Sequence, residues 1–464
     1  MKINKKMKDK GQKLFGTDGI RGLVGQFPFD DPSILKLGTT IGQYLHAAPK
    51  PCRIVIGRDT RSSGSSIERL LTTGILQQAA QTEIYSCSVI PTPGLSFVTR
   101  NGDFDYGIMI TASHNPYTDN GIKIFNSRGE KISNTMEQEL EHIFFNPCEA
   151  EQIPVQAIEP AIITDPAKTN QLYYQFLATH AQGIPGARFK VVLDCAHGAT
   201  FQLAPRVFRE VFPHLTVTHA APDGRNINLH CGSTHTASLA QTVQALNADI
   251  GIAFDGDGDR VLFVDSHGHL LDGDFILYIL AAYFLKTSQD FNNTKLVVGT
   301  VMANLGLEKA LAQLGILFLR TEVGDKYVSS ELKLRGAILG GEQSGHIVLP
   351  SFQPTGDGLL TALYFLKALA TLDIHPSQVI EQFKVYPQVI KNIPITHKKD
   401  LQQWEQLQQM STAFNEKYRD HSRLLIRYSG TEPIIRLMME SQHPHIIEEN
   451  MTRFEQVIRS AIGK

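Results

Sequence analysis

Shortages in this chain each remove a class of function. Charge of one sign is the first: the formal net charge is −2 over 464 residues, so no global field recruits nucleic acid or an acidic membrane. Long apolar runs are missing too. The longest, Phe275 to Leu285, falls short of the roughly 20 residues that span a bilayer and reads as a buried helix. Lys2, Lys5, Lys6, Lys8, Lys10 and Lys13 cluster near the start, but polar Gly16-Thr17-Asp18-Gly19 follows where an export signal would turn apolar,. Cysteine is sparse. Cys52, Cys87, Cys148, Cys195 and Cys231 form no CxxC pair, a spacing that predicts reduced thiols, no disulfide framework and no zinc site. A cytoplasmic protein without nucleic-acid or membrane partners is expected.

What is present is an ordinary globular composition, 42% hydrophobic and 19% charged, long enough for about three domains at roughly 150 residues each. One pattern occurs three times. A short β-branched run leads into a polar loop and a helical segment at Arg53 to Gly57, Lys190 to Leu193 and Lys295 to Gly299. Buried parallel strands with crossover helices have this character. Each unit then continues to a second apolar run that ends in a distinctive polar loop. The runs are Tyr106 to Ile110, Asp249 to Phe254 and Ala337 to Gly341. Ligands of α/β sheets bind at loops leaving the carboxyl ends of strands, so three such loops could converge on one cleft. From about Ile374 the pattern stops. A helical Leu401 to Glu416 segment, strands at Arg423 to Arg427 and Ile434 to Met438, and a terminal helix predict a small α+β domain. The expected domains are therefore 1–155, 156–260, 261–373 and 374–464.

The three loops carry chemistry. Asp255, Asp257 and Asp259 alternate with glycine, which lets the backbone aim three carboxylates at one volume. Mutual repulsion makes a hard cation such as Mg²⁺ their natural occupant. An EF-hand is excluded, because the twelfth position of such a loop would be Ser266 rather than glutamate,. Arg260 follows at once, placed to pair with phosphate oxygens. Ser113, in Thr111-Ala112-Ser113-His114-Asn115-Pro116, is a candidate nucleophile if its covalent product is stabilised. His114 is expected to face away from it, since neighbours in extended backbone point oppositely; the bland alternative is a turn fixed by Asn115-Pro116. Lys123 lies close enough in sequence to serve proton transfer, or to be a plain surface lysine. Glu342 and Ser344, with His346, suit hydrogen bonding to sugar hydroxyls, or form a satisfied turn. Arg427, Ser429, Gly430 and Thr431 suit a phosphate monoester. Arg21, in the Gly-rich Phe15 to Gly22 loop, is a phosphate contact or part of a turn.

Taken in order, these loops resemble the α-D-phosphohexomutase superfamily from Phe15 to the last strand pair. The resemblance implies three related mixed-sheet α/β domains plus a smaller α+β C-terminal domain around a central cleft. It implies Ser113 as phosphoserine and, with Asp255, Asp257 and Asp259, as a Mg²⁺ ligand. Arg21, Lys123, Arg260 and His346 become active-site groups, Glu342 and Ser344 sugar contacts, and Arg427, Ser429, Gly430 and Thr431 a phosphate grip. Phe15 to Gly22, Gly299 to Asn304 and Val323 to Val328 are most similar to the bacterial branch acting on glucosamine phosphate. The implied reaction interconverts glucosamine 6-phosphate and glucosamine 1-phosphate through a 1,6-bisphosphate, with a homodimer possible. Mannose or glucose phosphate is the alternative substrate; a serine phosphoenzyme that hydrolyses phosphate monoesters and an inert sugar-phosphate-binding module are the alternatives of other classes.

Overall fold

Runs of β-branched and aliphatic residues become buried strands where helices pack over the sheets that hold them,. A computed structural model describes residues 13–16, 18–46, 51–146, 162–164, 166–429 and 433–463. Cys148, Gly430 and Thr431, and all but Lys13 of the N-terminal lysine cluster, lie outside these residues.

The first sheet contains β1 (Ile20–Leu23), β2 (Arg53–Arg58), β3 (Glu83–Val89), β4 (Tyr106–Ile110), β5 (Asp119–Asn126) and β6 (Ile162–Thr164), in the order β1-β5-β4-β2-β3-β6. The second contains β7 (Val191–Asp194), β8 (Leu215–Thr218), β9 (Ile250–Phe254), β10 (Val261–Asp265) and β11 (Leu270–Leu271), ordered β11-β10-β9-β7-β8. The third contains β12 (Leu296–Thr300), β13 (Leu317–Thr321), β14 (Gly340–Gly341) and β15 (Ile347–Val348), ordered β13-β12-β14-β15. One path underlies all three. The first strand of each repeat pairs in parallel with the third, and the third turns back into an antiparallel fourth. That turn is the polar loop in every case: 111–118, 255–260 and 342–346. The threefold repeat expected from the sequence is thus a shared strand order.

The expected boundary after Arg260 is corrected here. β10 pairs with β9 from Val261↔Phe254 to Asp265↔Ile250, so a domain break there would cut a hairpin. The second sheet runs on through Leu271. One strand and one helix are also shorter than expected: only Gly340–Gly341 of the 337–341 run forms a strand, and the helix expected from Leu401 starts at Glu405. The apolar Phe275 to Leu285 run lies in the buried helix Gly273–Thr287, whose first turn is capped by Asp272 accepting from the Asp274 N–H at 3.0 Å,.

Contact density divides the chain into two units, 1–301 with 319–379, and 302–318 with 380–464. The second unit holds a sheet of β16 (Gln388–Pro394), β17 (Ser422–Tyr428) and β18 (Ile434–Ser441), antiparallel in the order β16-β18-β17. Helices Glu405–Tyr418 and Pro444–Ile462 bury Leu407, Phe414, Met451, Phe454 and Ile458 against it. The three polar loops all belong to the first unit.

Candidate active site

Ser113 ends the extended run of β4 in the left-handed region, at φ 52. A non-glycine residue there is uncommon and is held by its surroundings. Its N–H donates to Thr111 Oγ1 at 2.9 Å, and its carbonyl accepts from Arg61 Nη2 at 3.0 Å and Asn228 Nδ2 at 2.9 Å. The hydroxyl donates to Asp255 Oδ2 at 2.7 Å. This backbone twist overturns the expectation for His114. Alternation between faces requires extended backbone, and with φ positive at Ser113 the His114 Nδ1 comes to 3.4 Å from Ser113 Oγ. Burial, then Arg260 and Arg21, lower the His114 pKa to about 4, so the ring is neutral near pH 7,.

The aspartate loop brings one oxygen from each of Asp255, Asp257 and Asp259 within 4.8 Å of one another, all three residues buried. Gly258 makes the turn at φ 71, where a Cβ would stand 2.6 Å from Thr200 Cγ2,. Asp257 Oδ2 accepts from Thr92 Oγ1 at 2.6 Å and Lys123 Nζ at 3.0 Å. Asp259 Oδ2 accepts from Lys123 at 3.0 Å. Burial opposes the Lys123 charge, but Asp18, Asp257 and Asp259 outweigh it, and the pKa lies well above an ordinary lysine,. Burial and then Asp259 and Asp257 also raise the Asp255 pKa, well above the usual carboxylate range, which here favours the neutral acid.

A divalent cation fits this loop on the loop's own evidence. Asp257 Oδ1 and Asp259 Oδ1 are buried without a hydrogen-bond partner among the described residues, and such orphaned acceptors are costly. The donors are all hard oxygens, as Mg²⁺ or Ca²⁺ requires. Ser113 Oγ, already on Asp255, is the adjoining oxygen.

Around this centre the structure assembles most of the expected residues. Arg260 N–H donates to Asp255 Oδ1 at 3.2 Å, and its Nε is buried without a hydrogen-bond partner among the described residues. His346 Nδ1 lies 3.7 Å from Asp259 Oδ1, and its Nε2 accepts from the Gly356 N–H at 3.2 Å. Burial lowers the His346 pKa, yet Asp259, Asp325 and Glu342 together raise it above the ordinary value. Glu342 Oε1 accepts from Gly324 N–H at 3.2 Å, and Ser344 is half-buried on the same turn. Val261 N–H donates to the Gly345 carbonyl at 3.1 Å, tying the 342–346 loop to the aspartate loop. Arg21 donates through Nη2 to Asp18.

Four groups escaped the sequence reading. Asp18 receives Arg21, Lys131 and Lys123, the last at 3.2 Å; Lys131 also bonds Asp325, which stands 3.9 Å from His346 Nε2. These form one alternating chain of charges from Arg21 to His346. Arg61 is the fourth, buried and bonded to the Ser113 loop. Its signal was visible only as a charged residue in Arg58-Asp59-Thr60-Arg61, where a surface turn is the ordinary reading.

In the second unit, Arg427 on β17 faces Arg436 on β18 across the sheet register. Burial and Arg436 lower its pKa. Ser429 is buried, with its N–H on the Ile434 carbonyl at 3.0 Å.

Four domain profiles of the phosphoglucomutase/phosphomannomutase type match in order. α/β/α domains I, II and III cover residues 12–151, 171–268 and 272–386, and the C-terminal domain covers 390–455. The chain belongs to the phosphoglucomutase/phosphomannomutase family. Among curated members, the phosphoglucosamine mutase of Koribacter versatilis is 40% identical, over 97% of this chain and 98% of its own. That of Thermus thermophilus is 40% identical over 93% and 94%. A Burkholderia thailandensis structure from this family superposes with a TM-score of 0.76 at 23% identity, covering 97% of each chain. An Aspergillus fumigatus N-acetylphosphoglucosamine mutase, solved with GlcNAc-6P and magnesium, gives 0.66 at 16% over 98% and 97%. At these identities the structures share the family's fold. No helix among the described residues is long and apolar enough to cross a membrane.

Proposed function

We propose that this family member interconverts glucosamine 6-phosphate and glucosamine 1-phosphate, with Ser113 carrying the phosphate between them. The observation behind it is the Ser113 Oγ contact with Asp255, at the edge of a buried three-carboxylate cluster flanked by Lys123, Arg260 and His346. Such an arrangement handles a phosphoryl group by position and charge, as phosphoryl transfer requires. The choice of glucosamine rests on the curated relatives.

Asp255, Asp257, Asp259 and the Ser113 oxygen would hold Mg²⁺, which when bound supplies neutralisation of charge on the transferred phosphoryl oxygens. Everything else is done by the chain. The Ser113 Oγ–P bond breaks as a bond forms from phosphorus to O1 of the 6-phosphate sugar. The proton lost by that hydroxyl balances the one regained at Ser113 Oγ, the hydrogen that here points to Asp255. The resulting 1,6-bisphosphate then presents its 6-phosphate, and the transfer runs in reverse. Lys123, held protonated by the carboxylates of Asp18, Asp257 and Asp259, acts as a fixed cation beside the proton exchange. Arg260 and Arg21 bind phosphate oxygens, His346 orients the transferring group, and Glu342 and Ser344 hold sugar hydroxyls. Arg427 and Ser429, with Gly430 and Thr431, are assigned phosphate binding on their own chemistry. The buried thiols Cys87, Cys195 and Cys231 accord with a reducing cytoplasm,.

Intact-mass measurement tests the reading. The active chain should carry one added phosphate, lost on addition of glucosamine 6-phosphate and absent in Ser113→Ala, which should also lack turnover. Retention of the phosphate, steady release of inorganic phosphate, or activity in Ser113→Ala would overturn it. Coupled assays on glucosamine, mannose and glucose phosphates then decide the sugar.

A further inference from the structure

A second set of converging donors lies in the second repeat, away from the carboxylate cluster. Asp194 ends β7, His219 follows β8, and Cys231 sits in the loop before the helix Ala237–Ala245. One oxygen, one imidazole nitrogen and the thiol sulfur lie within 4.8 Å of one another. Asp194 and Cys231 are fully buried. His219 Nδ1 is sealed from water and stands 3.2 Å from Asp194 Oδ2. A nitrogen and an oxygen ligand of one tetrahedral ion stand only slightly further apart, since bonds of about 2.0–2.2 Å place neighbouring donors roughly 3.3–3.5 Å from each other.

The donor set differs in kind from that of the catalytic loop. Three carboxylates suit a hard cation; one thiolate, one imidazole and one carboxylate suit a borderline-soft one such as Zn²⁺. The orientation of Asp194 is independently fixed, with Oδ1 accepting from Ala196 N–H at 2.8 Å and Oδ2 from Gly232 N–H at 2.9 Å. A fourth place is left to water or to His197, whose ring centroid is 5.3 Å from that of His219. The cysteine spacing predicts no zinc site because the motif is assembled from three separate loops.

The location gives such an ion a role. Ser233 N–H donates to the Phe254 carbonyl at 2.9 Å, directly before Asp255, and Ala199 N–H to the Gly256 carbonyl at 2.7 Å. Asn228 Nδ2 reaches the Ser113 carbonyl at 2.9 Å. The loops that bear the donors therefore brace the backbones of both the aspartate loop and the phosphate-carrier loop. We propose that Asp194, His219 and Cys231 form a structural site for one zinc-class divalent cation, which staples these loops together behind the catalytic centre. Binding forms the Cys231 sulfur–metal bond and releases the thiol proton to solvent.

The test uses the full chain in excess Mg²⁺, which on the reading above occupies the aspartate loop, titrated with Co²⁺ as an optical stand-in for Zn²⁺. One equivalent should develop a thiolate-to-cobalt charge-transfer band that Zn²⁺ abolishes. Cys231→Ser should lose the band, and His219→Ala should bind at least about tenfold more weakly. The parent spectrum needs no variant, and circular dichroism checks that the two variants fold. No thiolate band in the parent chain overturns the proposal; so does a band that persists in Cys231→Ser, or cobalt binding that Mg²⁺ displaces completely. None of these outcomes bears on the phosphorylation of Ser113.

Discussion

Replacing Arg61 with lysine keeps the charge and removes the geometry, which makes it a sensitive probe of how the Ser113 loop is held. The Arg61 guanidinium uses all its side-chain N–H groups. Nε bonds Asp59 at 2.9 Å, Nη1 bonds the carbonyls of Pro116 and, at 3.0 Å, Asp119, and Nη2 bonds those of Ser113 at 3.0 Å and Asn115 at 2.9 Å. Asp59 in turn accepts from Thr111 Oγ1 at 2.7 Å. A lysine has three donors on one nitrogen, so at least two bonds are lost. Bonds to a charged donor contribute about 1.5–3 kcal/mol each. The Ser113 and Asn115 carbonyls keep Asn228 Nδ2, at 2.9 and 3.1 Å, which puts the loss at the low end, about 3 kcal/mol. Arg61→Ala strands a buried Asp59 and should lose about 3–5 kcal/mol or more. Urea unfolding followed by circular dichroism reads the stability, and steady-state kinetics read the site. Arg61 shapes the loop without touching the sugar, so Arg61→Lys should lower kcat with little change in KM. A lysine variant with the parent's unfolding midpoint and kcat would refute the reasoning.

Lys123→Met should eliminate turnover and, without added metal, destabilise the chain by about 3–5 kcal/mol, because Asp18, Asp257 and Asp259 lose their shared cation. Added Mg²⁺ should recover more melting temperature in this variant than in the parent; equal shifts would contradict the shared neutralisation. Asp357 is a buried helix cap whose side chain accepts from Leu360 N–H and Tyr173 Oη, and burial raises its pKa to about 6. A raised acid pKa means that the folded state prefers the protonated form, so its stabilising contribution is full below about pH 4 and fades as pH rises through 6. The swing is about 3 kcal/mol. The melting temperature of Asp357→Asn relative to the parent should therefore climb between pH 4 and 6, and a flat difference would remove the assignment.

Ser113 and the alternating aspartates were legible because they stand at the ends of strongly apolar strands, where a polar, Gly-containing loop is conspicuous. Arg61, Asp18, Lys131 and Asp325 were not. Each is one charged residue in an ordinary turn, and its meaning comes from partners far along the chain, as with Lys131 between Asp18 and Asp325. The relation of His114 to Ser113 was misjudged for a local reason: side-chain alternation presumes extended φ, and the loop imposes φ 52 on Ser113.

By itself the sequence determined the alternation of buried strands and polar loops, the threefold repeat and which loops hold the candidate site residues, since these depend on residue type and short-range periodicity. Tertiary structure alone decided which charges share a proton or a cation. It placed Asp255, rather than His114, 2.7 Å from the Ser113 hydroxyl, and it brought Asp194, His219 and Cys231 together from three loops. Electrostatic coupling acts over a few ångströms of space, and separation along the chain does not encode that distance.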